Sequence, residues 1–244
     1  MIPTAAGQAL LATFARVRII NLSSRSDRRR EMTAELARLG IVVDGKQVAF
    51  HDASRFDDPA GFRTVGARGC FHSHLTVLED AAGFEGSLLI LEDDADFAPN
   101  IEQLLPVALR ALSEERWSLF YGFGRHCSEK DIRPIYKAIP AQGIVTLHCI
   151  GVAPEFVKVA APYLRAMLAR PAGSAEGGPM DVDGAYSWLR AAYPEFQTWC
   201  ADPSLAHQRA SRTDISPGAL DRFFLTRELR SSLRTMKRYL TRRR

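Results

Sequence analysis

The chain has 244 residues, 46% of them hydrophobic and 25% charged, with a formal charge of +4. That balance belongs to a folded globular protein with room for one sizeable domain, and it excludes a disordered chain. No stretch approaches the roughly 20 apolar residues that cross a bilayer. Cys70, Cys127, Cys149 and Cys200 form no C-x-x-C pair, which argues against a zinc centre built from cysteines and points to reduced, buried thiols.

The mildly apolar start, Met1 to Phe14, lacks a basic n-region and a clean cleavage site, so it reads as a short helix or loose tail and the protein as cytoplasmic. Val17-Arg-Ile-Ile-Asn-Leu22 is the first predicted strand. Ser23 to Asp27 form a turn, where Ser26 or Asp27 caps a helix from Arg28 to Leu39 with Gly40 as its C′ residue. Val42 to Phe50 reads as a second strand broken at Asp44-Gly45, and Asp57 to Gly61 as a loop. Ala67 to Ala82 is helical by the spacing of Leu75, Leu78 and Ala82. A strand over Leu88 to Leu91 and a helix from Pro99-Asn100 to about Leu112 follow. Next come a strand over Trp117 to Phe123, a polar loop over Gly124 to Pro134 and a strand over Ile144 to Val152. Pro154 opens a helix that runs to Leu168. Arg170 to Pro179 reads equally as a lid, an acceptor-side loop or an inert linker. Asp181 to Ala192 is a helix and Phe196 to Ala201 a short strand. This alternation predicts an α/β fold with a mostly parallel sheet.

The chemistry concentrates in Ser87-Leu-Leu-Ile-Leu-Glu92-Asp93-Asp94-Ala-Asp96, an apolar strand that ends in three consecutive carboxylates. Single acidic residues after a strand are common turn formers and caps, and Asp96 reads that way. Three together repel one another and lose solvation, and they make sense around a hard divalent cation that also binds substrate phosphates. Ligand crevices of open α/β sheets lie beyond the carboxyl ends of the strands, where this cluster falls. No G-x-G-x-x-G follows a strand and no G-x-S-x-G is present, so a dehydrogenase and the commonest hydrolase elbow are disfavoured.

Three segments carry a family resemblance: Ile19-Ile-Asn-Leu22 with Arg25, Asp27 and Arg28; Gly66-Ala-Arg-Gly69-Cys70-Phe-His-Ser73-His74; and Leu89-Ile-Leu-Glu92-Asp93-Asp94. In this order they resemble glycosyltransferase family 25, which includes bacterial lipopolysaccharide glycosyltransferases and domains of collagen galactosyltransferases. Pro179 to Trp188 and Pro203 to Ile215 resemble its distal blocks more loosely. The resemblance implies a GT-A-type Rossmann-like domain, expected here over 1–218, with a central mixed sheet. It implies inverting transfer of a galactose-like sugar from a UDP-sugar to a hydroxyl of a saccharide or lipid-linked saccharide acceptor, with Mn²⁺ or Mg²⁺, in lipopolysaccharide or other envelope glycan synthesis. Glu92 and Asp94 would hold the metal, with His207 as a late third contact. Asn21, Leu22, Arg25, Arg28, Gly69, Ser73, His74, Glu92 and Asp93 would line the donor. Gly66 and Gly69 would precede a helix whose amides face the diphosphate, and His74 is a donor contact or a core histidine. Asp181 and Asp183 are the candidates for the acceptor base. A metal-dependent nucleotidyltransferase or phosphohydrolase, or a non-catalytic nucleotide-sugar-binding adaptor, shares these features.

The last expected element, 219–244, is a basic amphipathic helix with Phe224, Leu225, Leu229, Leu233, Met236 and Leu240 at three- to four-residue spacing. It packs on its own domain or lies on an anionic membrane surface, which would make the protein peripheral on the inner membrane face. Nucleic acid is the least favoured partner.

Overall fold

The computed structural model describes residues 2–124 and 133–209. The basic helix expected over 219–244, the domain end expected at 218 and most of the loop expected over 124–134 lie outside the described residues.

In chain order the elements are α1 (Ala5–Thr13), β1 (Arg16–Asn21), α2 (Ser26–Arg38), β2 (Val48–Asp52), α3 (Val65–Asp80), β3 (Leu88–Glu92), β4 (Ala95–Phe97) and α4 (Ile101–Ser113). They continue as β5 (Leu119–Tyr121), β6 (Ile135–Lys137), β7 (Cys149–Val152), α5 (Pro154–Leu168), α6 (Val182–Ala192), β8 (Thr198–Ala201) and β9 (Ala206–Gln208). Seven strands form one sheet in the order β2-β1-β3-β7-β5-β8-β6, and β4 pairs with β9 in a second. In the large sheet β1 is parallel to β2 and β3, and β5 to β8, while β7 and β6 run against their neighbours. Five of its seven strands thus share one direction, the mixed and mostly parallel α/β sheet expected.

Strand alternation builds a core on each face. Leu88 and Ile90 of β3 join Ile20, Phe71, Leu75, Leu78, Phe156 and Leu189 on the side of α3, α5 and α6. Leu89 and Leu91 join Val17, Ile19, Met32, Leu36, Leu109 and Leu112 on the side of α1, α2 and α4. The start of the chain is helix rather than loose tail: the Thr4 hydroxyl accepts the Gly7 N–H at 3.2 Å, and Ala6 and Leu10 are buried.

From β1 the chain passes through α2 to β2 on one side, then back through α3 to β3 on the other. The two helices pack on opposite faces. This reversal opens a crevice at the carboxyl ends of β1 and β3, the usual ligand position of such a sheet.

Several boundaries differ from expectation for local reasons. Val42 to Gln47 is a turn, because Asp44 Oδ1 accepts the N–H groups of Lys46 and Val48 at 2.9 and 3.0 Å and Gly45 takes φ +73°. Ile144 to His148 leaves the sheet, because the Ile144 and Thr146 N–H groups go to Ser187 Oγ and Asp183 Oδ2 on α6, each at 3.2 Å. Helix α2 begins at Ser26 with Arg25 at its N-cap and no side-chain cap, so neither Ser26 nor Asp27 serves as one. Gly40 ends that helix at φ +66°, as its C′ position predicts. Asp96 lies in β4 and not in a turn or cap.

Candidate active site

The three carboxylates do not share one cage. Successive strand residues project to opposite faces, so Glu92 turns toward α3 and Asp93 toward α2. Asp93 Oδ1 takes the Arg28 guanidinium at 2.7 Å and its Oδ2 accepts the Asn21 side-chain N–H at 2.8 Å. Both side chains of the ion pair are at least nine-tenths buried. Arg28 also lies 3.8 Å from Asp94. Asn21 further donates to the Arg25 carbonyl and accepts from Arg29, so it ties the end of β1 to α2. Leu22 accepts the Arg25 N–H through its carbonyl in the turn between them. Arg25 pairs with Asp27 at 2.9 Å.

On the other face, His74 Nε2 lies 3.3 Å from Glu92 Oε1, and the Cys70 thiol donates to the same oxygen at 3.5 Å. His74 is fully buried and meets the Tyr186 ring edge-on at 5.8 Å. The Tyr186 hydroxyl is buried and has no hydrogen-bond partner among the described residues. Burial works to raise the Glu92 carboxyl, but the hydrogen bond and charge of His74 outweigh it and hold the group below its ordinary value. Burial and the Glu92 charge push the Cys70 thiol well up.

Asp94 sits between these two arrangements. Its Oδ2 accepts from Gln208 at 3.2 Å and its carbonyl accepts the Arg209 N–H at 2.7 Å. Its Oδ1 is buried with no hydrogen-bond partner among the described residues. Burial first, then the Glu92 charge, push its carboxyl up to about 6. An orphaned, crowded carboxylate oxygen of this kind fits a hard divalent cation, whose charge would offset both penalties. His207 pairs with Asp96 across β4 and β9, and it is exposed. Gln208, the next residue of β9, is the one that donates to Asp94, and the charge of His207 is felt at His148.

Gly69 and Ser73 serve packing. Helix α3 starts at Val65, capped by the Thr64 hydroxyl on the Ala67 N–H, so Gly66 and Gly69 lie inside the helix and do not precede it. A Cβ on Gly69 would stand 2.7 Å from the Ser54 carbonyl oxygen. Ser73 Oγ accepts the Ser54 N–H at 2.8 Å and donates to the Gly69 carbonyl at 2.7 Å. These contacts clamp the segment after β2 onto α3.

The two candidate bases separate. Asp181 precedes α6 and pairs with Arg63 at 2.9 Å, both side chains substantially exposed. Asp183 lies two residues further on, as the second residue of α6, where its charge is felt by Cys70 and Tyr121. Its oxygens accept the Gly184 N–H at 2.8 Å and the Thr146 N–H at 3.2 Å. Thr146 is held at φ +74°, a costly conformation for a β-branched residue and one that clusters at functional sites.

Cys70, Gln208 and Tyr186 are the site neighbours that reading by motif undervalued. The four-residue step from Cys70 to His74, which places both on one helix face, was the available signal. His148 adds to the group: it stacks on Phe123 with ring centroids 4.5 Å apart, and burial lowers its pKa.

Residues 14–133 match the model of glycosyltransferase family 25 (LPS biosynthesis protein). The matched stretch holds Asn21, Arg28, Cys70, His74 and Glu92 to Asp94, while Asp181, Asp183 and His207 lie beyond it. No curated protein matches the chain. Among solved structures it is similar to a glycosyltransferase involved in the glycosylation of the major capsid of PBCV-1, at 11% identity and TM-score 0.35, over 76% of this chain and 92% of that one. It is also similar to the nucleoside-diphosphate-sugar pyrophosphorylase from Vibrio cholerae RC9, at 15% identity and TM-score 0.33, over 80% of this chain and 76% of that one.

Proposed function

Because residues 14–133 match the model of glycosyltransferase family 25, we propose that the chain moves a galactose-like sugar from a UDP-sugar to a hydroxyl of a saccharide or lipid-linked saccharide acceptor, in a metal-dependent, inverting reaction of lipopolysaccharide or other envelope glycan synthesis. The observation that carries the reading is Asp94, a buried carboxylate with an unmet oxygen at the carboxyl end of β3. Asp94, with Glu92 beside it, would hold Mn²⁺ or Mg²⁺, which supplies positive charge to the departing nucleoside diphosphate.

The chain's own residues do the rest. Arg28 neutralises Asp93 inside the fold and Asn21 hydrogen-bonds its second oxygen, which leaves the charge of Asp94 for the donor side. Asp183 takes the proton of the acceptor hydroxyl as its oxygen attacks the anomeric carbon, and the bond to UDP breaks in the same displacement. Thr146 aims that carboxylate through its backbone N–H. Among the described residues no helix is long and apolar enough to cross a membrane. A basic helix over 219–244 would hold the enzyme against an anionic membrane face near lipid-linked acceptors, and deleting it without changing membrane partition would refute that part.

Calorimetric titration of UDP with and without Mn²⁺, on the wild type and on Asp94→Ala, tests the donor site. Metal-dependent binding that the variant loses supports it; binding indifferent to metal and to the substitution overturns it. Product analysis over a panel of UDP-sugars and acceptors then names the sugar and the linkage.

A further inference from the structure

We propose that Cys70 Sγ, His74 Nε2 and Glu92 Oε1 form a binding site for a thiophilic divalent cation of the Zn²⁺ class, adjoining the hard-cation position at Asp94 and competing with it for Glu92. The three atoms lie within 4.8 Å of one another. Sγ and Nε2 stand 3.5 and 3.3 Å from Oε1. Zinc bonds of about 2.0–2.3 Å at tetrahedral angles place ligand atoms roughly 3.3–3.7 Å apart. Two of the three separations already match what a bound ion would impose, and the Sγ–Nε2 pair lies within 4.8 Å.

The backbone explains why they meet. Cys70 and His74 are four residues apart on α3 and share a face. Glu92 is the last residue of β3 and alternation turns it onto that face. All three ride on regular elements and not on loops, which favours a defined geometry. One thiolate, one imidazole and one carboxylate leave the fourth tetrahedral position open. The sulfur sets the selectivity, since thiolate ligands favour Zn²⁺ and Co²⁺ over Mg²⁺ and Mn²⁺.

Access and charge agree with this. His74 is fully buried, whereas Cys70 and Glu92 are each only partly covered, so an ion has an approach from the side of these two. The buried Tyr186 hydroxyl beside His74, without a partner among the described residues, is available to a group on the open position. Binding would release the thiol proton to solvent as the thiolate–metal bond forms. It would also fix Glu92 on the α3 face and draw its charge away from Asp94.

The test needs neither donor nor acceptor. The full chain, stripped with chelator, is titrated with Co²⁺ and followed by absorption. The expected result is a thiolate-to-cobalt charge-transfer band with tetrahedral d–d bands, saturating at one equivalent and abolished by Zn²⁺ but not by equal Mn²⁺. Cys70→Ser, shown folded by circular dichroism and melting, should lose the charge-transfer band. It should also bind Zn²⁺ at least about tenfold more weakly, the loss that even an outer partner of a ligand causes. Asp94→Ala should keep the band, which separates this site from the donor-metal reading. No band in the wild type, or an unchanged band in Cys70→Ser, would overturn the proposal.

Discussion

Arg28 reaches from α2 to Asp93 at the end of β3, 2.7 Å away, and both side chains are nearly out of solvent. Together with the Asn21 bond to the second oxygen of Asp93 at 2.8 Å, this joins β1, α2 and β3 at one point. The sequence run Glu92-Asp93-Asp94 therefore divides its work. Asp93 is neutralised within the fold, Glu92 is held by His74 and Cys70, and Asp94 keeps an oxygen unmet.

Arg28→Ala should destabilise the protein strongly, because it leaves the Asp93 carboxylate buried and unpaired. Loss of one partner from a buried pair costs about 3–5 kcal/mol. Asp93→Asn should cost less, and adding it to Arg28→Ala should recover part of the loss, since the stranded charge is gone. Urea unfolding of the two single variants and the double variant checks this, and additive effects would show that the pair is not coupled.

Asp94→Asn should stabilise the metal-free protein at neutral pH. The folded pKa of Asp94, about 6, lies above its ordinary value of 3.8. The native state therefore holds a proton that the unfolded chain releases across that window. Wild-type stability falls as pH rises from about 4 to about 6, by at most about 3 kcal/mol, and the penalty stays above that window. The asparagine keeps an acceptor for Gln208 and carries no charge. Melting curves in chelator should show the variant flatter across this window and more stable above it. The same variant should lose Mn²⁺-dependent UDP binding, a gain in stability against a loss of function.

Gly69→Ala discriminates propensity from packing. In an open helix the change would stabilise by about 0.5–1 kcal/mol. Here the new Cβ would stand 2.7 Å from the Ser54 carbonyl oxygen, and forcing atoms into a packed contact costs about 1–3 kcal/mol. The urea midpoint should fall with an unchanged slope; a rise would mean that the segment after β2 yields freely.

Much of this was legible in the sequence because it is local. The apolar runs of β1 and β3 and the leucine spacings of α2 and α3 mark the βαβ frame, and the family segments lie on it. The two-residue period of a strand would also have parted Glu92 from Asp93. What was not legible depends on distant partners. Strands β4 and β9 have three residues each and pair across more than a hundred positions, with Asp96 opposite His207. Ile144 to Val152 is continuous in hydrophobic character, yet α6 captures the N–H groups of its first half. The step from Cys70 to His74 is visible on a helix, but nothing local says that Glu92 completes the set.

Asp183→Asn and Asp181→Asn should part in activity. Asp183 lies close enough to the Cys70–Glu92 group for its charge to be felt there, and its carboxylate is aimed by the Thr146 N–H at 3.2 Å. Removing a general base costs roughly 10²–10⁴ in rate, so Asp183→Asn should lower kcat by that order while UDP binding holds. Asp181 is turned to Arg63 in a solvent-exposed pair, worth about 0.2–1 kcal/mol, so Asp181→Asn should leave kcat nearly unchanged and lower stability slightly. Thr146→Gly supplies the link between geometry and rate. It removes the strain of a β-branched residue at φ +74°, so it should not destabilise through the backbone conformation, but it frees the N–H that orients Asp183. A kcat that falls in Thr146→Gly with no loss of stability would assign the threonine to positioning the base. An Asp183→Asn enzyme of wild-type rate would remove Asp183 from the reaction.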